Sequence, residues 1–482
     1  MTATGDAPIP LCVDLDGTLV RTDMLHEALL LLAKRSPMTL AALPGWLVRG
    51  KAGFKHLVAE RVAIDAAALP YRADVLALIE EARAAGRPVI LATAAATPIA
   101  TAVAEHLGLF DAVLSSDTGT NLSAAAKADA LVARYGERGF DYIGNGRADL
   151  PVLARARRGF LISSHGGLRR AAVRGHDGIT FLDDKGGGVR VWAKALRLHQ
   201  WLKNLLVFVP LVAAHQAGDV ALLAATMIAF LAFSLCASSV YLMNDLLDLS
   251  ADRAHRRKRN RPFASGALPV KAGVVAAPLL LAIALGLAFL LPTRFLGVLL
   301  LYYALTTLYS FFLKRQVVVD VMLLASLYTI RILAGSAATG IEPSFWLLAL
   351  SMFVFLCLAM VKRYSELRLA VSSAVPLAGR GYRPDDLPVV LALGTSSGMV
   401  SVLILAMYTQ AAIVPEMYPA PEWLWLVPPL MLYWITRLWT KAQRGEVDED
   451  PVIFAARDWQ SLAVAALMGA AFLLATSGWS PW

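Results

Sequence analysis

Six stretches without a single charge follow one another from residue 220 to the C-terminus. They are Val220–Met243, Ala272–Leu291, Phe295–Leu313, Pro343–Val361, Leu387–Pro415 and Trp459–Trp482. A helix rises about 1.5 Å per residue, so each is long enough, or nearly so, to cross a hydrocarbon layer about 30 Å thick. Three weaker stretches join them: Asn204–Gly218, Gln316–Ile341, interrupted by Asp320 and Arg331, and Trp423–Thr436. The expectation is nine membrane-spanning helices. Ahead of residue 190 the pattern is different, with short apolar runs and frequent charges.

Composition fits this division. Hydrophobic residues make up 57% of the chain and charged ones 17%, against about 25% charged in ordinary soluble domains. That excludes a disordered chain and argues against a wholly soluble enzyme. Three distant cysteines, Cys12, Cys236 and Cys357, offer neither a disulfide framework nor a zinc site.

The net charge of +9 raises the question of nucleic acid. Loop charges answer it. With the first 200 residues on the cytoplasmic side, the inner loops are Asn244–Lys271, Lys314–Gln316, Lys362–Leu387 and Arg437–Trp459. Together they carry 18 Lys and Arg, whereas the outer loops and C-terminal tail carry only Arg294. The positive-inside rule then puts the soluble part, and the sites described below, on the cytoplasmic face of an inner membrane, with the C-terminus outside. No nucleic-acid partner is needed. Met1–Pro10 has no apolar core of the kind a secretory leader carries, and Leu25–Val48, broken by Lys34, Arg35 and Pro37, reads as helices of a soluble cap.

In the soluble part, the apolar run Pro8–Val13 ends in Asp14-Leu-Asp16-Gly17-Thr18. Carboxylates one residue apart at a strand tip share one side, and Gly17 permits a tight turn. A second strand ends in Thr93, Lys127 follows a polar turn, and a third strand leads into Gly144-Asn145 with Asp149 four residues on. Strands alternating with helices imply a parallel α/β sheet whose ligands gather at the carboxyl ends of the strands.

These four motifs resemble the haloacid dehalogenase superfamily of phosphatases. The resemblance implies a Rossmann-like α/β domain over residues 1–185 with a helical cap at about 25–78. It makes Asp14 the nucleophile that forms an aspartyl-phosphate and Asp16 the general acid and base. Thr93 and Lys127 would hold the phosphoryl group. Asp14, the Asp16 carbonyl, Asn145 and Asp149 would hold Mg²⁺. Asn145 departs from the family pattern, in which an Asp is frequent, and offers only a neutral oxygen.

At the inner end of the second span stands Asn244-Asp245-Leu-Leu-Asp248-Leu-Ser-Ala-Asp252. Spacings of three and four place the aspartates on one face of a helix. Stacked carboxylates repel unless a cation lies among them, and Mg²⁺ favours such ligands. Basic residues follow at once in His255-Arg-Arg-Lys258-Arg-Asn-Arg261-Pro262; Arg256, Arg257 and Arg259 read equally well as a cluster for anionic lipid. Charges at or within spans (Asp320, Arg331, Lys362, Arg363, Glu366) are costly there and are candidates for function, although Lys362 and Arg363 lie at a boundary where snorkelling is an equally good account.

This half, residues 196–482 after a linker at 186–195, resembles the UbiA-type intramembrane prenyltransferase superfamily, which implies an all-α polytopic membrane domain. That family's second motif is a pair of aspartates four apart; here Asp320 stands with Leu324 at the other place. Within the superfamily the decaprenyl-phosphate phosphoribosyltransferase branch is more similar, through Gln200-Trp-Leu-Lys203-Asn204, Asp252 to Pro262, Leu313 to Asp320, Arg331-Ile-Leu-Ala-Gly335 and Lys362-Arg-Tyr-Ser-Glu-Leu367.

That resemblance implies transfer of phosphoribose from phosphoribosyl diphosphate to a polyprenyl phosphate, with release of diphosphate. Asp245, Asp248, Asp252 and Asp320 would hold Mg²⁺. Lys203, Asn204, Asn244, Lys258, Arg261, Arg331, Lys362, Arg363 and Glu366 would line the substrates. The soluble domain would then remove the 5-phosphate to leave polyprenyl-phosphoryl-ribose. Two alternatives stand beside this reading: prenylation of an aromatic acceptor from a polyprenyl diphosphate, and a non-catalytic membrane scaffold. Oligomeric state is not legible.

Overall fold

The computed structural model describes residues 8–48, 50–184, 186–255, 257–373, 381–447 and 450–480. Arg256 and Lys185 lie outside the described residues. The chain divides into two compact units. The first runs to Leu196 and includes Tyr241–Pro278; the second is Arg197–Val240 with the chain from Leu279 onward.

In the first unit, six parallel strands form one sheet: β1 Leu11–Val13, β2 Val89–Ala96, β3 Ala112–Ser116, β4 Asp141–Gly144, β5 Gly159–Ile162 and β6 Ile179–Leu182. Their order is β3-β2-β1-β4-β5-β6. The direction of winding changes beside β1, so the loops after β1 and β4 part and leave a crevice at the strand ends. The buried strands read as near-continuous apolar runs because helices cover both faces. Leu11 and Val13 point into one core with Met24, Val75, Ile79 and Leu91; Cys12 and Tyr142 point into another with Leu131, Val152 and Leu161.

Between β1 and β2 come helices Met24–Arg35, Leu43–Leu47 and Gly50–Ala59 and then Ala73–Ala84. The last places Val75, Ile79 and Ala82 in the sheet core. Residues 73–78 begin this helix, and the core its apolar face enters is also reached by Met24, Ala28 and Val58 of the preceding helices. The expected linker 186–195 also contains structure, since Val189–Ala195 is a helix.

Among the described residues seven helices are long and apolar enough to cross a membrane: Val220–Leu247, Val270–Ala288, Thr293–Phe311, Val319–Thr339, Phe345–Val371, Pro384–Tyr408 and Trp459–Thr476. The chain is thus a multi-pass membrane protein by the length and composition of its helices. The other two expected spans are helical but of another kind. Leu198–Ala213 is short, and Val427–Arg444 bears Arg437, Lys441 and Arg444 opposite a buried apolar stripe. In the second unit backbones approach closely. A Cβ on Gly335 would lie 2.0 Å from the carbonyl oxygen of Val207, so only glycine allows this crossing.

Candidate active sites

The soluble site is built at the ends of β1 and β4. Backbone bonds from the Asp14 N–H to the Ile143 carbonyl, and from Leu19 to Asp14, hold the first loop against the neighbouring strand. Gly17 adopts φ +73°, and a Cβ there would lie 2.0 Å from the Asn145 side-chain nitrogen. The Asp-x-Asp-Gly motif therefore needs its glycine for torsion, and a Cβ would in addition push the Asn145 amide aside.

Lys127, on helix Ala125–Tyr135, donates to Asp14 Oδ1 at 2.7 Å and lies 3.5 Å from Asp149 Oδ1. Tyr142 accepts from Lys127 at 2.9 Å and donates to Asp149 at 2.7 Å. The other Asp149 oxygen accepts from the backbone N–H groups of Asn145 and Gly146. Thr93 is fully buried two residues beyond the Val13–Leu91 pairing, and its hydroxyl oxygen accepts from the Ala95 N–H.

Electrostatics distinguish the two motif aspartates. Burial raises the Asp14 carboxyl to about 6, with Lys127 opposing and Asp149 reinforcing. Burial, with the charges of Asp23 and Asp14, pushes Asp16 up to about 7, where a carboxyl both gives and takes a proton at neutral pH. Burial would lower the Lys127 ammonium, but Asp14 and Asp149 outweigh it and raise it. Asp14 and Asp149 meeting at one ammonium, with the Asn145 amide over Gly17 beside them, form an oxygen-rich set suited to a hard divalent cation.

Three residues here escaped sequence reasoning. Tyr142 links Lys127 to Asp149. Lys55, from the cap helix Gly50–Ala59, donates to the Ala94 carbonyl at 2.7 Å and to Asn121 at 3.2 Å. Asp23 caps helix Met24–Arg35 through the His26 N–H. An Asp just before an apolar helical run was a legible signal for Asp23; the other two depend on the fold.

The acidic motif differs from its expectation. Helix Val220–Leu247 stops before Asp248, whose torsions (φ −100°, ψ 14°) make it the N-cap of the short helix Leu249–Ala254. The i→i−4 bonds nevertheless run through it, from the Asp248 N–H to Asn244 and from the Asp252 N–H to Asp248. Asp245 and Asp252 share a partner, since Arg261 Nη1 donates to them at 3.0 and 2.7 Å, while Asp248 turns to Lys34 at 2.9 Å. Asn244 is half-buried, with its carbonyl accepting from the Asp248 N–H. Lys258 is exposed. Among the described residues no three acidic, His or Cys side chains gather as a metal set. Two carboxylates converging on one cation nevertheless suit Mg²⁺, which takes its remaining ligands from water and substrate phosphate.

In the second unit most candidate charges hold one another. Asp320 and Arg363 are fully buried and 2.6 Å apart; Tyr382 donates to Asp320 at 2.8 Å, and Glu366 pairs with Arg363. The Asp320 carboxylate thus faces a guanidinium and a phenol, the partners that make a buried charge tolerable. Arg331 donates to Asn204 at 2.8 Å and to the Leu327 carbonyl, with its guanidinium among the rings of Phe233, Tyr302 and Tyr328 at 5.3 to 5.6 Å. Asn204 also donates to Ser234 at 2.9 Å.

Lys203 pairs with Asp450, and Lys362 lies near enough to help hold that carboxyl below its usual range. Asp450 was missed. Its signal was an Asp before Pro451, and its side chain caps helix Pro451–Arg457.

Residues 11–154 match the haloacid dehalogenase-like hydrolases, and residues 205–462 match the UbiA prenyltransferase family. The chain belongs to the UbiA prenyltransferase family and carries a haloacid dehalogenase-like domain ahead of it. It is 38% identical over 477 residues to an uncharacterized protein of Sinorhizobium fredii, an alignment covering 98% of this chain and 92% of that one. It is 36% identical over 287 residues to nodulation protein NoeC of Azorhizobium caulinodans, covering 59% of this chain and 93% of that protein.

The chain is 41% identical over 181 residues to the decaprenyl-phosphate phosphoribosyltransferase of Mycobacterium tuberculosis, covering 37% of this chain and 60% of that protein. Among solved structures, a UbiA homolog from Archaeoglobus fulgidus bound to DMAPP and Mg²⁺ aligns with a TM-score of 0.46 at 16% identity, over 59% of this chain and 99% of that one.

Proposed function

We propose that this chain transfers phosphoribose from phosphoribosyl diphosphate to a polyprenyl phosphate, and that its soluble domain then removes the 5-phosphate. The observation that carries the reading is the 41% identity to decaprenyl-phosphate phosphoribosyltransferase. It is supported by a site chemistry in which a guanidinium already stands between two carboxylates.

In this reading the lipid phosphate oxygen attacks the anomeric carbon of ribose as the bond to diphosphate breaks. Asp245 and Asp252, with Asp248 released from Lys34, would hold Mg²⁺, which would supply positive charge for the departing diphosphate. Arg261, Lys258, Lys203 and Lys362 add positive charge around the two polyanions, and Asn204 and Asn244 orient them. Arg331, Arg363 and Glu366 shape the site from within their buried contacts.

In the soluble domain Asp14 attacks the 5-phosphorus while Asp16 protonates the departing ribose oxygen. Asp16 then takes a proton from the water that hydrolyses the aspartyl-phosphate. Thr93 and Lys127 hold the phosphoryl oxygens, and Asp14, the Asp16 carbonyl, Asn145 and Asp149 supply the places for Mg²⁺.

The topology that accompanies this reading has nine spans, with Leu198–Ala213 and Val427–Arg444 completing the seven. Domains run 1–185 and 196–482, and both sites face the cytoplasm. A shared chain keeps the phosphorylated lipid near the phosphatase at high effective concentration.

The test is to supply membranes with radiolabelled phosphoribosyl diphosphate and polyprenyl phosphate and to weigh the lipid product by mass spectrometry. Wild type is expected to yield polyprenyl-phosphoryl-ribose, and Asp14→Asn the same lipid with one more phosphate. Identical products from both would sink the coupled phosphatase. Label from an aromatic acid in the lipid fraction, with none from phosphoribosyl diphosphate, would select aromatic prenylation. Full function after Asp245→Ala and Asp248→Ala would select a scaffold.

A further inference from the structure

We propose that Glu27, on the cap of the phosphatase-type domain, is a positioning residue for the transferase: through Arg253 it sets where Asp252, and with it the Asp245–Arg261–Asp252 group, stands. The proposal rests on the transferase reading above.

Both partners belong to the first compact unit. Cap helix Met24–Arg35 lies along the acidic motif across a narrow crevice lined by Leu30, Leu31, Ile64, Leu246 and Leu249. At its polar end the Glu27 carboxylate receives both terminal nitrogens of Arg253, at 2.5 and 2.8 Å. Each side chain is only 6% exposed. The remaining Arg253 donor, Nε, bonds the Ala264 carbonyl at 2.9 Å. One guanidinium thus ties the cap, helix Leu249–Ala254 and the segment just past Arg261 together.

Backbone bonds run on from helix Val220–Leu247 through Asp248 into this short helix, from the Asp248 N–H to the Asn244 carbonyl and from the Asp252 N–H to the Asp248 carbonyl, but the Asp248 torsions (φ −100°, ψ 14°) depart from helical values. Past that irregularity its direction is held by tertiary contacts, and Arg253 supplies the bidentate one. Asp252 is the adjoining residue and shares Arg261 with Asp245. Removing Glu27 would leave a buried guanidinium without its counter-charge, and the helix must shift to rehydrate it. The cap reaches the same motif again through Lys34 and Asp248, but these side chains are 40% and 36% exposed, so that pair is the weaker hold. The fused domain therefore serves the transferase as a structural part.

The experiment uses the full chain in detergent or nanodiscs, comparing wild type with Glu27→Gln, Glu27→Asp and the exchanged pair Glu27→Arg/Arg253→Glu. Outer-shell partners of metal ligands typically matter about 10- to 100-fold, so Glu27→Gln is expected to lower transfer kcat at least about tenfold and to raise the Mg²⁺ concentration for half-maximal rate. Glu27→Asp should recover part of the loss, and the exchanged pair most of it.

Independently of turnover, Mn²⁺ binding followed by electron paramagnetic resonance, with every variant in an Asp14→Asn background to weaken the soluble site, should fall by a similar factor in Glu27→Gln. Unchanged Mn²⁺ binding in Glu27→Gln overturns the proposal. So does a loss that neither Glu27→Asp nor the exchanged pair relieves, because that marks a general packing defect. If wild type transfers no phosphoribose at all, it is the transferase reading that fails, while the Mn²⁺ comparison still decides what Glu27 does.

Discussion

The soluble site and the membrane-helix charges handle the same problem differently. In the first, Asp14, Asp149 and Lys127 meet around a crevice at the strand ends, with Tyr142 completing the ring. In the second unit, Asp320, Arg363 and Glu366 close upon one another, and Arg331 is spent on Asn204, a carbonyl and aromatic rings. Burial makes a lone charge expensive in both places. A parallel sheet gathers paired charges at the crevice along its strand ends, whereas packed helices satisfy charges within their own helix and across to neighbouring ones. A charged residue inside an apolar span thus signals a partner before it signals a ligand.

The largest expected effect tests the crevice side. Asp14→Asn should cut release of the 5-phosphate by at least about a thousandfold, since a nucleophile and its partners act as a unit; phosphate release from the isolated phosphorylated lipid measures it. Gly17→Ala should come next. Its Cβ collides with Asn145 and its φ is left-handed, so phosphate release should fall about 10- to 100-fold by displaced geometry, with transfer unaffected.

On the helix side, Arg363→Met should destabilise the chain by about 3–5 kcal/mol, because Asp320 is left buried beside no guanidinium. Thermal unfolding in detergent reads this, and adding Asp320→Asn and Glu366→Gln should recover much of the loss. If Asp320→Asn by itself alters the Mg²⁺ dependence of transfer but not stability, the contrast between the two regions breaks.

The smallest effect concerns Asp141 in the soluble domain. Buried, it accepts from Arg87 at 2.5 Å and from Arg157 at 2.8 and 2.9 Å, which hold its carboxyl below the usual range despite burial. A depressed folded-state value means that its stabilisation is complete above the unfolded value of about 4 and is lost as pH falls through the lower one. Asp141→Asn should cost about 1–2 kcal/mol at pH 7 and flatten the acid limb of the unfolding profile.

Much of the soluble site was legible because its motif residues sit at strand ends, and a parallel α/β sheet has only one edge where those ends meet. Lys127 and Asp149 could be paired with Asp14 before any coordinates. Tyr142 could not, since an inward tyrosine on a strand looks like any core residue. In the acidic motif, spacing promised one helical face, but the helix yields at Asp248, where Lys34 from a segment over 200 residues away takes the carboxylate. Local periodicity cannot anticipate such a break.

The sequence by itself, though silent on Lys55, Asp450, Glu27 and Arg253, determined the two families, the α/β soluble fold, the long apolar helices and the strand-end and acidic motifs. Those follow from hydrophobic run length, strand-end motifs and residue type, all of which are local. Only the tertiary structure decided which charges face one another: Arg261 between Asp245 and Asp252, Arg363 against Asp320, and Arg253 against Glu27. The physical reason is that a buried charge accepts whichever opposite charge the fold brings within about 3 Å, and chain separation has no part in that choice.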